Sequence, residues 1–266
     1  MGKLFEEKVV LEPIHHIYTH NDGRKFDSLS RVRDCIKTPF DKSIARNCAG
    51  KGEYVGMTAE QVLVAWEKKG KKAADHGTNI HEAIERFEKS AVILAQDEWL
   101  RPMILCLTNE YKDMYQVHNE VCLYDEEYEI AGTADHIIET TKHKSSVLNI
   151  DDFKTNLNKG INFENKYKKY LLGPFSHVQD CNYYDYSLQL SCYAYMLEKL
   201  TSRKIGHLSI IFIPPQNPLA YKRIPVNYMK MEAIALFKYH KEQKHIKKEE
   251  GITSDNSAQQ LIPNFA

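Results

Sequence analysis

The sequence predicts an α/β fold: a central mixed sheet with an antiparallel meander, flanked by helices and preceded by a helical N-terminal part. Three observations carry this. Between about residues 58 and 115, apolar side chains recur every three or four positions, the period of a helix face. From about 120 to 153 the period changes, and three segments rich in Val, Ile, Leu and Tyr are separated by short polar turns. Beyond residue 186 the order is helix, strand, strand, helix. The 266 residues favour one domain with a sizeable core.

The elements follow in chain order. His16-Ile17-Tyr18 and Lys25-Phe26 flank Asn21-Asp22-Gly23, a hairpin signal over 15–28, because Asp-Gly suits a tight turn. Ser28 or Ser30 can cap a short helix reaching about Lys37, which Thr38-Pro39 breaks. A further short helix spans 41–50 and ends at Gly50. Thr58-Ala59-Glu60-Gln61 has the capping-box pattern and starts a helix that Gly70 is expected to interrupt. A separate helix is expected from Ala73 to Lys89, with Ile80, Ala83, Ile84 and Phe87 on its apolar face, and another from Glu98 to Tyr115. The meander strands are Glu120–Tyr124, Glu129–Glu139 and Ser146–Phe153. Residues 155–184 form a long polar connection rich in Lys, Asn and Tyr, expected to be partly helical or functional. An amphipathic helix covers Tyr186–Leu200, strands cover Leu208–Ile213 and Tyr221–Val226, and a last helix covers Met229–Lys248. The expected organisation is an N-terminal hairpin and helical region over 1–72 packed on a core of 73–250, with a flexible tail over 251–266.

Lys plus Arg and Asp plus Glu each number 36, so the net charge is zero. A whole-protein basic field is thereby excluded, but a local basic groove is not. Apolar residues at 42% and charged residues at 27% exclude a mainly disordered chain. No apolar run reaches the roughly 18 residues that span a bilayer. The first fourteen residues lack the apolar core of a signal peptide. The six cysteines form no C-x-x-C pair. Together these lead to the expectation of a cytoplasmic protein with reduced thiols and no membrane association.

Four short segments carry candidate chemistry. In Val147–Lys154, Asp152 and Lys154 are two apart, so on a strand they share a face. A carboxylate there can hold a divalent cation while the ammonium contacts water or phosphate; the plainer alternative is an ordinary ion pair. In Ile130–Asp135, Asp135 follows Gly132 within an apolar run, where an acid is costly unless paired or bound to a cation. Gly132 would admit a close backbone or substrate. The meander brings Asp135 beside Asp152, and a cation would relieve their repulsion. In the segment 77–85, His81 and Glu85 are one helical turn apart, with Thr78 as a possible cap and Gly77 at the entry turn. A satisfied helix histidine is the plainer alternative. Gln189 and Tyr193 are again one turn apart, able to reach a phosphate or hold Lys154, or else solvated and core residues. Glu120, opening the first meander strand, is a further candidate acid.

In order and spacing, helical H-x-x-x-E, a strand Glu, G-T-A-D, D-F-K-T and helical Q-x-x-x-Y resemble the PD-(D/E)XK nuclease superfamily. The resemblance is to the RecB-like branch with its phage-type exonucleases, and covers roughly residues 73–200. Upstream, the segments 26–31, 39–41 and 56–70 look like phage-encoded members. The resemblance implies a restriction-endonuclease-like core. It implies that Asp135 and Asp152 are metal-binding acids, that Lys154 is the catalytic lysine, and that His81 and the Phe153 carbonyl join the metal site. Gln189 and Tyr193 match the following helix motif, and Glu85 and Glu120 match less uniform supporting positions. Ala134 stands where the family's name places Pro, which leaves the chemistry untouched. Some relatives hold an iron–sulfur cluster through three downstream cysteines; none follows Cys192, so no iron-sulfur cluster is expected.

The implied activity is Mg2+- or Mn2+-dependent hydrolysis of DNA phosphodiester bonds, by an exonuclease or single-strand-end nuclease of phage replication or recombination. The expected partners are DNA, single-stranded or with free ends, and replication or recombination proteins, in the host cytoplasm if the chain is phage-encoded. Local basic clusters at Lys68, Lys69, Lys71 and Lys72, at Lys142 and Lys144, and at Lys159, Lys166, Lys168 and Lys169 are candidates for the groove. Tyr167, Tyr170, Tyr183, Tyr184 and Tyr186 interleave the last cluster as rings on which bases can stack; the plainer alternative is a solvated loop with its aromatics tucked onto the core. Two alternatives stand beside this: a catalytically silent nuclease-fold protein that only binds DNA or a partner, and a zinc hydrolase using His81 and Glu85, which lacks enough His or Cys ligands.

Overall fold

A computed structural model describes residues 4–111, 115–140, 147–155 and 160–249. The expected flexible tail over 251–266 lies outside the described residues. The strands are β1 (Val9–Glu12), β2 (Ile17–His20), β3 (Lys25–Ser28), β4 (Tyr115–Asp125), β5 (Ile130–Thr140), β6 (Leu148–Lys154), β7 (Ile205–Phe212) and β8 (Lys222–Val226). The helices are α1 (Leu29–Asp34), α2 (Ile44–Cys48), α3 (Ala59–Ser90), α4 (Arg101–Tyr111), α5 (Asn182–Thr201) and α6 (Lys230–Glu249).

The sheet runs β1-β2-β3-β5-β6-β7-β8, with β4 on the other edge of β5. The expected meander β4-β5-β6 is present and antiparallel. β3 joins β5 in parallel, and β6 joins β7 in parallel with α5 as the crossover, so the sheet is mixed. The N-terminal hairpin pairs Tyr18 with Phe26, and Gly23 takes φ +90° in its turn. β1, which the sequence did not announce, is four residues long and exists through pairing with β2.

Helices cover both faces. One core lies under α1, α5 and α6, built on Ile130, Ile137, Leu148, Ile150 and Ile210 with Leu188, Leu197 and Phe237. The other lies under α3 and α4, where Ile80, Ile84, Met103 and Leu107 meet Phe153, Ile211 and Ile213. The alternation of Ile150 and Phe153 between the two cores is the pleat of β6 acting on the sequence.

Several expectations need correction. Gly70 does not interrupt a helix: α3 is one element of 32 residues, about 48 Å long at 1.5 Å per residue. Its start is the expected capping box, Thr58 accepting from the Gln61 N–H and Gln61 accepting from the Thr58 N–H. Gly70 is buried, so packing offsets its roughly 1 kcal/mol helix penalty. The boundary drawn near residue 72 falls inside α3. Thr78 and Gly77 are likewise interior, so neither forms a cap or an entry turn. A Cβ on Gly77 would lie 3.2 Å from Thr155 Oγ1, so this glycine serves the close approach of α3 to the end of β6. The third helix stops at Tyr111, and β4 begins at Tyr115, five residues before the expected strand. α5 begins at Asn182 and is buried around most of its girth rather than being amphipathic. Among the described residues of 155–184, the helical content is the 3-10 turn Gly173–Phe175 and the first three residues of α5.

Candidate active site

The site forms where β5 and β6 part. β4 pairs with β5 along one edge, so β3 and β6 share the other. β3 meets β5 at Ile130 and Ala131, and β6 meets it from His136 onward. In the gap the Asp135 carboxylate takes over the ladder and accepts the Phe153 N–H at 2.8 Å. Alternation breaks at the same point. Ala134 and Ile137 lie in the same core although three residues apart, where a regular strand would send them to opposite faces. Opposite Asp135, between the pairs Asn119–His136 and Val121–Ala134, stands Glu120 at φ +50°. That left-handed backbone costs a non-glycine residue about 1–3 kcal/mol. It lets both strands turn over, and it places two carboxylates side by side. Glu120 thus sits within β4 and does not open it.

α3 supplies the next group. His81 Nε2 lies 3.0 Å from the Phe153 carbonyl oxygen. A carbonyl only accepts, so Nε2 carries the hydrogen, and in the neutral ring Nδ1 keeps the lone pair. Nδ1 is 3.6 Å from Asp135 Oδ2. One ligand atom each of His81, Glu120 and Asp135 lies within 4.8 Å of the others. Glu85, one turn beyond His81, is ion-paired with Lys89. Glu120 is reached by solvent, yet it stands in a cleft of dense protein. That desolvation, followed by the nearby charges of Asp135 and Glu85, pushes its carboxyl up to about 8.

β6 supplies the last pair. Asp152 is 1% exposed, and Lys154 Nζ lies 2.6 Å from its Oδ2. Apart from that ion pair, neither carboxylate oxygen has a hydrogen-bond partner among the described residues. Burial raises the Asp152 carboxyl, Lys154 opposes, and Asp135 adds to the rise. Burial would lower Lys154, but Asp152 and Asp135 outweigh it and hold the ammonium above its ordinary value. The Lys154 ammonium lies 4.9 Å from the centre of the Tyr186 ring.

Gln189 and Tyr193 form a floor. Gln189 Nε2 donates to the Tyr193 hydroxyl at 3.2 Å. Tyr193 is buried, and burial followed by the charge of Asp152 pushes its phenol far up. A Cβ on Gly132 would stand 2.9 Å from the Tyr193 ring, so Tyr193 fills the space expected for a backbone or substrate. The Lys154 ammonium is held by the Asp152 carboxylate with the Tyr186 ring beside it.

No family model matches the chain, and no curated protein matches it. Among solved structures, a crystal structure of a "Putative exonuclease" from Eubacterium rectale superposes with a TM-score of 0.45 at 14% identity. The match covers 91% of this chain and 90% of that one.

Tyr186, expected among the tyrosines that interleave the last basic cluster, lies over Lys154. One feature escaped the sequence. Arg33 is paired with Asp185 at 2.7 Å, Asp185 also binds Lys37 at 3.1 Å, and the charge of Asp152 acts on Arg33. Arg33 lies two positions past the upstream segment that drew attention at Arg31.

The expected basic clusters divide. Lys142, Lys144 and Lys159 fall outside the described residues. Lys68, Lys71 and Lys72 share a shallow cleft with Asp75, His76 and Asn79. Among the described residues no helix is long and apolar enough to cross a membrane.

Proposed function

We propose that this chain is a metal-dependent nuclease of PD-(D/E)XK type and RecB-like branch. It hydrolyses DNA phosphodiester bonds as an exonuclease or single-strand-end nuclease in phage replication or recombination. The observation that carries this reading is Asp152: a buried carboxylate with one ion pair and no other donor, beside three further converging groups. A structural carboxylate in that setting collects hydrogen bonds.

The residues fit a Mg2+ or Mn2+ ion. Crowded acids are destabilised by one another, and one divalent cation with oxygen bonds of roughly 2.0–2.6 Å spans the 4.8 Å within which ligand atoms of His81, Glu120 and Asp135 lie. His81 Nδ1, Glu120, Asp135 and Asp152 would hold it, while the Phe153 carbonyl is engaged by His81. When bound, such an ion polarises a phosphoryl oxygen and supplies hydroxide at neutral pH.

The chain's own groups then divide the work. Lys154 stays protonated, so it acts as a cation and hydrogen-bond donor to charge developing on the phosphate, not as a base. Tyr186 limits where its ammonium can swing. Tyr193 and Gln189 close the floor and keep water from Asp152. His81, fixed by the Phe153 carbonyl, offers one ring nitrogen in one orientation.

An end-labelled digest tests the reading. Linear and circular, single- and double-stranded DNA would be incubated with Mg2+, Mn2+ or Zn2+. Cleavage with Mg2+ or Mn2+, lost by on the order of a thousand-fold in Lys154→Ala with an unchanged circular dichroism spectrum, is expected. Absence of cleavage with every ion would favour a silent DNA- or partner-binding protein.

A further inference from the structure

We propose that residues 161–180 form a platform for single-stranded nucleic acid. Bases stack on Tyr167, and the flanking Lys166 and Lys168 pair with phosphates. This rests on the nuclease reading and adds the form of substrate and the surface that receives it.

The segment buries Phe175 but presents its other aromatic residues. Tyr167 is 84% exposed and Phe163 53%. Such exposure is ordinary on a loose loop, but this one is tied down. The Asn165 backbone N–H donates to Gln179 Oε1 at 2.9 Å, and its side-chain amide donates to the Asp180 carbonyl. Asn165 Oδ1 accepts the Tyr167 N–H at 2.8 Å, and its carbonyl accepts the Lys168 N–H at 3.0 Å. Tyr170 and Gln179 form a β-bridge, and the Leu172 N–H donates to the Ile36 carbonyl at 2.7 Å. The backbone at the tip is therefore ordered before any partner arrives, which lowers the entropic cost of binding.

Charge and position agree. Lys166 and Lys168 are exposed, and no ion pair to either occurs among the described residues. A ring between two unpaired ammonium groups matches a chain of alternating bases and phosphates. The segment also abuts the site. The Tyr183 N–H donates to the Asn162 carbonyl at 3.0 Å, and the Phe163 and Tyr183 rings lie 5.0 Å apart. One turn further along α5, Tyr186 covers Lys154. The first turn of α5 thus couples the platform to the reacting lysine.

The test uses the full chain and two probes. A fluorescein-labelled oligothymidylate is titrated in EDTA, with anisotropy as the readout, so nothing is cleaved. Hydrolysis of bis(p-nitrophenyl) phosphate with Mn2+ reports the metal centre alone. Tyr167→Ala is expected to weaken oligothymidylate binding about ten-fold, the loss of one base–ring stack, and Tyr167→Phe to restore it. Each of Lys166→Ala and Lys168→Ala should reduce the slope of log affinity against log salt by about 0.7. Hydrolysis of the small ester should be unchanged in all four. Affinity that does not depend on Tyr167, or an equal loss for a blunt duplex whose bases are already stacked, overturns the platform. Failure of the wild-type chain to hydrolyse the small ester would strike the nuclease reading instead.

Discussion

Asp151 and Asp152 are neighbours on β6 and face opposite sides of the sheet. Both are almost fully buried. Asp151 points toward α4 and β8, where Arg223 Nη1 donates at 2.6 Å and the Tyr111 hydroxyl also donates. Arg223 in turn binds Glu110, and the His136 ring meets Tyr111 edge-on and Phe153 at a tilt. Asp152 points toward α5 and meets one ammonium, with Asp135 adding repulsion. One carboxylate meets two protein donors. The other meets a single ammonium and, among the described residues, no further donor. Burial and residue type are the same, so what separates the two acids is the inventory of donors around each.

Neutralising each acid in turn should have opposite consequences. Asp152→Asn should lose cleavage by on the order of a thousand-fold, with an unchanged or higher melting temperature, since a poorly solvated charge is removed. Asp151→Asn should keep turnover within a few-fold but lose about 1–3 kcal/mol of stability, because Arg223 loses a charged acceptor. Urea unfolding and an end-labelled digest on both variants decide it. A large loss of activity in Asp151→Asn with an intact fold would erase the distinction.

The fold was largely legible because its signals are local. The Asp-Gly turn, the Thr58 capping box and the change of period near residue 120 each act within a few residues. The D-x-K face arithmetic also picked Asp152 over Asp151 correctly as the residue sharing a side with Lys154. Other features depend on distant chain. β1 is set by its partner strand. Gly70 stays helical because its surroundings bury it. The stance of Glu120 comes from a positive φ that no propensity announces, and it appears only once β5 is laid alongside. Tyr186 and Arg33 became site neighbours through the docking of α5 and α1 on the sheet.

Beneath the site the packing is close. A Cβ at Gly132 would meet the Tyr193 ring at 2.9 Å and Leu29 Cβ at 3.1 Å. Leu29 is fixed by its backbone, so Tyr193 must move. Gly132→Ala should cost about 1–3 kcal/mol and reduce cleavage several-fold, measured by chemical denaturation and initial rates. Wild-type stability would show that the floor is not closely packed.

The smallest effect concerns a third acid, Asp27 on β3, far from any catalytic role. Burial alone would raise its carboxyl. The His240 ring at 3.1 Å and the Lys244 ammonium at 3.0 Å outweigh burial and hold it well below the ordinary range. Lys244 is thus a tie from α6 to β3, not a purely solvated charge. A depressed carboxyl contributes stability above its unfolded value near 4, lost as pH falls through the lower folded value. The gap in urea midpoint between wild type and Asp27→Asn should be about constant from pH 5 to 7 and shrink below pH 4. A gap independent of pH would contradict the ion pairs.

The claim on which the rest depends is that His81, Glu120, Asp135 and Asp152 share a cation. Calorimetric titration of Mn2+ into the full chain measures this without any substrate. Saturable uptake is expected, weakened about ten-fold or more in Asp135→Asn and in His81→Ala. No uptake by the wild-type chain, or uptake that neither substitution alters, would contradict it.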